Sequence, residues 1–127
     1  MKSKAVLLLG NHANRKLIEV LSDSGLVPEV WRSVQRSLEK LKRQKFGAVL
    51  VDRKFTRADV LEFILNVRDM DADIPVLVIG SGPERIDRKI REQGRTLVVA
   101  GVEDEKELGL KLKKFVTGKE KRSVQTL

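Results

Sequence analysis

The chain has 127 residues, 41% of them hydrophobic and 35% charged, a composition typical of one soluble domain with a single core. The absence of cysteine excludes disulfide frameworks, thiolate nucleophiles and cysteine-based metal sites, while the net charge of +8 favours acidic partners. No apolar run approaches the ~20 residues that span a bilayer, and Ala5–Leu9 is too short for a signal peptide, so we expect a cytoplasmic protein.

In the first half of the chain, short apolar runs alternate with amphipathic helical patterns. Gly25 is a stop signal for the first helix, and the second helix has a strongly basic outer face. The predicted elements are, in order, the strand Ala5–Leu9, the helix Asn14–Ser24, a weaker strand Pro28–Arg32, a helix carrying Val34, Leu38 and Leu41, and the strand Gly47–Asp52.

The second half continues the alternation. Thr56 and Asp59 form a capping-box-like pair before the third helix, while Pro83 suits the first position of the fourth helix and Gly94 its end. The predicted elements are, in order, a helix carrying Val60, Leu61, Ile64 and Val67, the strand Ile74–Ile79, the helix between Pro83 and Gly94, the strand Thr96–Ala100, and a helix from about Asp104 that buries Leu108, Leu112, Phe115 and Val116.

Five strand–helix pairs with short connections predict a flavodoxin-like, doubly wound, five-stranded parallel sheet with five helices. We expect this domain to occupy residues 1–117 and to be followed by a flexible basic tail, residues 118–127. Functional sites in such folds lie at the carboxyl ends of the strands, which directs attention to the loops that follow them.

Asp52, at the end of the third strand, is the most informative of these positions. The segments Ala48–Asp52, Asp59–Phe63 and Asp73–Ile79 follow one another in an order and spacing that resemble the receiver domain of bacterial response regulators. The resemblance extends over about residues 4–117. It implies a two-component signalling family in which the aspartate that ends the third strand accepts a phosphoryl group, assisted by a divalent cation.

The other reactive positions of that family are replaced here. The acidic cluster that would hold the cation falls on Leu9, Gly10 and Asn11, none of which is a carboxylate. The phosphate-binding hydroxyl falls on Gly80, next to Ser81, and the phosphate-binding lysine falls on Gly101. Of the residues that carry out the reaction in that family, this chain therefore retains only the aspartate, Asp52.

Two interpretations of Asp52 follow. One carboxylate plus a loop carbonyl allows at most weak Mg²⁺ binding, so we expect no metal or other cofactor. The nearby cations Arg53, Lys54 and Arg57 are candidates to replace the missing metal charge, which would leave Asp52 able to accept phosphate. Alternatively, Asp52 is inert and accepts hydrogen bonds from loop amides or pairs with a neighbouring base.

Other polar groups offer weaker sites. The segment Gly80–Gly82 predicts either an anion-binding nest or simply a tight turn into a helix. Glu84, Asp87 and Glu92 are interpreted as helix-start and solvent-facing charges, because no second catalytic group accompanies them. We expect no enzymatic activity.

Three functional hypotheses remain. The first is a stand-alone pseudo-receiver that binds a protein partner, such as a kinase or effector, or a second copy through the fourth helix, fifth strand and fifth helix, without phosphorylation. The second is an atypical single-domain response regulator phosphorylated on Asp52. The third is a basic adaptor for nucleic acid or another polyanion. The candidate partner surface consists of Arg85, Arg88, Lys89 and Arg91 on the fourth helix. The candidate polyanion surface lies on or near the second helix, and we name it the α2 basic cluster. It consists of Arg32, Arg36, Lys40, Lys42, Arg43 and Lys45.

Overall fold

One parallel sheet organises the computed structural model, which describes residues 4–101 and 105–117. Its strands lie in the order β2-β1-β3-β4-β5, the flavodoxin-like arrangement that the sequence predicts. The strands are β1 (Ala5–Leu9), β2 (Val27–Trp31), β3 (Ala48–Asp52), β4 (Val76–Ile79) and β5 (Thr96–Val99). The helices are α1 (Arg15–Asp23), α2 (Val34–Arg43), α3 (Val60–Met70), α4 (Glu84–Arg91) and α5 (Glu105–Thr117), and a 3₁₀ turn, Arg53–Phe55, follows β3.

The sheet separates two apolar layers, because successive side chains of each strand point to opposite faces. Val6 and Leu8 of β1 pack on the side of α1 and α5, whereas Leu7 and Leu9 pack on the side of α2, α3 and α4. β1, β3 and β4 are covered on both faces, which explains their unbroken apolar sequences. The proposed tail, residues 118–127, lies outside the described residues.

Several boundaries differ from the prediction for local reasons. Asp59 itself caps α3, with its Oδ1 accepting the Glu62 amide at 3.0 Å, whereas the hydroxyl of Thr56 accepts the Ala58 amide; the capping-box prediction was therefore wrong. β4 begins at Val76, because Pro75 has no N–H to donate to a sheet. Pro83 is the N-cap of α4 instead of its first residue.

A single arginine, Arg68 of α3, contacts the amino-terminal ends of β4 and β5, at the end of the sheet opposite to Asp52. Its guanidinium donates to the carbonyl oxygens of Ile74 and Gly94, each at 2.7 Å, and to the hydroxyl of Thr96 at 3.0 Å. It also donates to the carbonyl oxygens of Asp71, Gln93 and Arg95. Burial lowers the pKa of Arg68 below its ordinary value, although Asp71 and Asp73 oppose this shift. The side chain thus joins α3 to the starts of β4 and β5.

Across residues 4–101 and 105–117, no helix has the length and the apolar composition needed to cross a bilayer.

Candidate functional site at the carboxyl end of β3

Asp52 is buried at the carboxyl end of the central strand. It is the last residue of β3, it pairs in register with Ile79 of β4, and only 1% of its surface is exposed. A carboxylate removed from water in this way requires a compensating hydrogen bond or charge. Its partners therefore decide what it can do chemically.

The partner of Asp52 is the side-chain amide of Asn14, the N-cap of α1. Asn14 Nδ2 donates to Asp52 Oδ2 at 2.6 Å, while Asn14 Oδ1 accepts the backbone N–H of Leu17 at 3.2 Å. These two bonds fix the orientation of the amide, because reversing it would place two oxygens together and break the helix cap. Asn14 thus presents a donor, not a metal ligand, to Asp52.

Gly10 leaves little room beside Asp52. A Cβ added to Gly10 would lie 3.1 Å from the Cβ of Asp52, which is tighter than most real Cβ contacts. Gly10 is one of the three positions onto which the family's acidic cluster falls. The other two do not help: Leu9 is fully buried in the apolar core, and the Asn11 side chain accepts the Ala13 amide within its own turn.

The residues present do not fit a divalent cation. Mg²⁺ requires several oxygen ligands in octahedral geometry, usually including at least one or two carboxylates. Here one carboxylate is available, and an amide N–H group occupies one of its oxygens at 2.6 Å. Within the described part of the chain, no cluster of three or more His, Cys, Asp and Glu residues could hold a metal ion.

Arg53, the residue after Asp52, does not serve as a substitute cation for it. Its side chain extends to α4, where Nη2 lies 2.6 Å from Asp87 Oδ1. Among the described residues, no Lys or Arg side chain forms an ion pair with Asp52. The prediction that Arg53 neighbours Asp52 as a counter-charge is therefore wrong.

Asp87 is also not the solvent-facing charge that the sequence suggested. It is 2% exposed, and its Oδ2 accepts the backbone N–H of Gly82 at 3.0 Å. Burial raises the pKa of Asp87, but the contact with Arg53, the Gly82 amide bond and the charge of Arg91 outweigh this effect. The resulting pKa lies below its ordinary value, so the group is a carboxylate at neutral pH.

The comparisons with known proteins agree with this architecture. No family model and no curated protein sequence matches the chain. Solved structures do match. A CheY-like response regulator receiver domain from Methanospirillum hungatei JF-1 has a TM-score of 0.79 at 14% identity, covering 96% of this chain and 99% of the other. The orphan response regulator HP1043 of H. pylori has a TM-score of 0.74 at 20% identity, covering 88% and 95%.

The chain has the receiver-domain fold. A third match is the receiver domain of the sensor histidine kinase PA1611 from Pseudomonas aeruginosa PAO1, which has a magnesium ion coordinated in its active site cleft. It has a TM-score of 0.72 at 19% identity and covers 91% of this chain and 98% of the other. In this chain, which has the same fold, the side-chain amide of Asn14 contacts Asp52 at the end of β3.

The remaining predicted positions are placed as follows on the receiver fold. Lys54 and Arg57 are exposed, and Lys54 Nζ lies 5.7 Å from the centre of the Phe55 ring. Ser81 is exposed, and Gly101 lies just beyond β5 without a side chain to reach the site. The four predicted partner residues, Arg85, Arg88, Lys89 and Arg91, are all exposed on α4.

Sequence reasoning missed two residues that matter most, Asn14 and Asp87. Asn14 was visible only as the start of a helix, a position where asparagine is common as a cap. Asp87 carried a clearer signal, because it lies three positions before Ile90 and therefore on the buried face of α4. A carboxylate on an apolar helix face requires a buried partner.

Proposed function

We propose that this chain is a receiver-type signalling module of the two-component class that acts by binding a protein partner, without phosphorylation of Asp52 and without catalysis of its own. The observation that carries the proposal is the 2.6 Å hydrogen bond from Asn14 Nδ2 to Asp52 Oδ2. It occupies the carboxylate at the position where the receiver family binds a cation and accepts phosphate.

Charge repulsion supports the same conclusion. An anionic phosphoryl donor approaches a carboxylate only if a cation offsets their repulsion. The nearest candidate, Arg53, is engaged with Asp87 at 2.6 Å, and Lys54 and Arg57 point to solvent. The chain therefore offers a surface instead of a reactive centre, and the exposed basic face of α4 is our candidate for contacting a kinase, an effector or a second copy.

The test is intact-mass spectrometry after incubation with acetyl phosphate and Mg²⁺. We expect no added phosphoryl mass, while a receiver domain that is known to be phosphorylated, treated in parallel, gains it. Circular dichroism on the same sample verifies that the chain is folded. An added phosphoryl mass that disappears in Asp52→Asn would overturn the proposal and favour the alternative, an atypical response regulator phosphorylated on Asp52.

A second candidate function, binding of a nucleic acid or another polyanion, is favoured by one observation. In the α2 basic cluster only Lys40 has an ion pair within the described residues, with Glu29 at 3.5 Å. The other five cations, Arg32, Arg36, Lys42, Arg43 and Lys45, are exposed and form no ion pair with any residue that the structure describes. Exposed cations concentrated on and next to one helix attract a polyanion without any need for reactive chemistry.

A further inference from the structure

The Arg53–Asp87 pair connects the segments that follow two neighbouring strands, β3 and β4. Arg53 begins the 3₁₀ turn after β3, whereas Asp87 belongs to α4, which follows β4. The Arg53 guanidinium contacts both the β4–α4 loop and α4 itself. Its Nη1 donates to the Gly80 carbonyl at 3.0 Å, and its Nη2 contacts Asp87. The side chains of Arg53 and Asp87 are only 14% and 3% exposed.

The β4–α4 loop is shaped around this guanidinium. A Cβ added to Gly82 would lie 2.7 Å from Arg53 Cζ, closer than any real Cβ contact. A Cβ on Gly80 would lie 3.0 Å from Arg53 Cβ, and Gly80 also has a φ of +109°, which favours glycine. The two glycines therefore provide the space in which the arginine lies.

The start of α4 depends on the same pair. Its N-cap is Pro83, whose side chain offers no capping hydrogen bond, and the helix has only eight residues. Asp87 instead reaches back past the cap and accepts the Gly82 amide at 3.0 Å, which joins the residue before the cap to the first turns of the helix. If Asp87 lost Arg53, it would become a buried carboxylate without its counter-charge, which is strongly unfavourable.

We propose that Arg53 and Asp87 form an intramolecular latch that holds the β4–α4 loop and the start of α4 in one conformation, independently of Asp52. The latch fixes the orientation of the basic outer face of α4, which is the candidate partner surface. It deepens the proposed function by regulating that surface, and it also stands if Asp52 proves to be phosphorylated.

Native-state hydrogen exchange followed by ¹⁵N NMR tests the latch on the full chain. The reporter amides are those of Gly82, Ile86 and Asp87; the last two donate to the Pro83 carbonyl at 3.0 Å. The informative variant is Gly82→Ala, because its added Cβ displaces the Arg53 guanidinium without removing a charge. Gly82 does not have a positive φ, so its backbone conformation is one that alanine can adopt. Arg53→Gln and Asp87→Asn remove each partner in turn.

We expect each of these variants to lower the protection of the reporter amides by about tenfold or more, while amides of β1 and β3 keep theirs. The double variant Arg53→Gln/Asp87→Asn loses no more protection than the worse single variant, because the two residues act as one unit. If Asp87→Asn alone destabilises the whole fold, Gly82→Ala and Arg53→Gln remain the deciding variants.

Two matched controls separate the latch from general effects. Lys54→Gln removes the neighbouring exposed charge, and Asp52→Asn removes the neighbouring buried carboxylate; both are expected to leave the reporter amides unchanged. The latch is overturned if Gly82→Ala behaves like Lys54→Gln, or if Asp52→Asn lowers reporter protection as much as Arg53→Gln. Phosphoryl transfer to Asp52 would overturn the proposed function alone, so the two failures are distinguishable.

Discussion

Asn14 performs two tasks with one amide group, capping α1 through its oxygen and satisfying Asp52 through its nitrogen. Aspartate is as good a helix cap as asparagine, so Asn14→Asp preserves the first task and abolishes the second. The variant would place two carboxylates at hydrogen-bond distance in a buried site. Two such groups cannot both ionise without strong repulsion, so the pKa of one of them is raised.

The sign of the resulting pH dependence follows from that raised pKa. The protonated pair is stable at low pH, and its stability is lost as the pH rises through the raised pKa. We expect Asn14→Asp to unfold in urea much like the original chain at about pH 3.5, below the ordinary pKa of an aspartate, and to be about 1–3 kcal/mol less stable at about pH 8. Millimolar Mg²⁺ should recover part of the loss, since a second carboxylate then faces Asp52.

Asn14→Ser is the matched control for this experiment, because it keeps a capping oxygen without adding a charge. Its loss of stability should vary less with pH than that of Asn14→Asp, because it adds no second carboxylate, and it should be insensitive to Mg²⁺. If Asn14→Asp lost the same amount at both pH values, the assignment of the Asn14 amide as the partner of Asp52 would be wrong.

The residue scale is also where sequence reasoning was weakest. Asp52 was identified because an aspartate at the end of an apolar strand stands out against its neighbours. Its partner was not, because the bond from Asn14 joins residues that only the closed sheet brings together. Arg53 and Asp87 illustrate the same limit: each is an ordinary surface residue by type, and only the β3–β4 pairing places them 2.6 Å apart.

At the scale of elements, the sequence predicted each strand and helix, because the strands are apolar runs and the helices are amphipathic. The exact ends of the helices were harder to predict, because more than one residue near the start of a helix has a side chain that can cap it. Thr56 and Asp59 both have suitable side chains, and the intervening turn decides in favour of Asp59. The contribution of Arg68 was invisible for another reason, namely that its partners are backbone carbonyls, which every sequence contains.

Arg68 yields a prediction about how elements are joined. Arg68→Met retains the apolar stem but removes every donor, so buried carbonyls at the starts of β4 and β5 lose their partner. We expect a loss of about 2–4 kcal/mol in the free energy of unfolding, measured by urea denaturation. Arg57→Met, at an exposed arginine just before α3, should change the stability by less than about 0.5 kcal/mol. Equal losses in the two variants would refute the assigned role of Arg68.

At the scale of the whole molecule, the charge of +8 is unevenly distributed. α2, α3 and α4 cover the same face of the sheet, with α3 in the middle. Among the three helices of this face, α2 and α4 carry exposed cations, whereas α3 exposes the acids Glu62 and Asp69. The helices of this face therefore present two separate basic stripes instead of one broad basic surface, and net charge alone does not say which stripe contacts an anionic partner.

Two variants of equal charge can decide between local binding and a net-charge effect. One neutralises Lys42, Arg43 and Lys45 to glutamine in the α2 basic cluster, and the other neutralises Arg85, Arg88 and Lys89 on α4; each removes three positive charges. The probe is a fluorescent DNA duplex at about 50 mM salt, with the affinity followed as salt increases. If the α2 basic cluster binds polyanions, the first variant should lower both the affinity and the salt slope, because fewer counterions are released, while the second should retain most of both. Equal effects of the two variants would mean that binding depends on the net charge and not on the α2 basic cluster. If the original chain does not bind DNA detectably, polyanion binding is not its function.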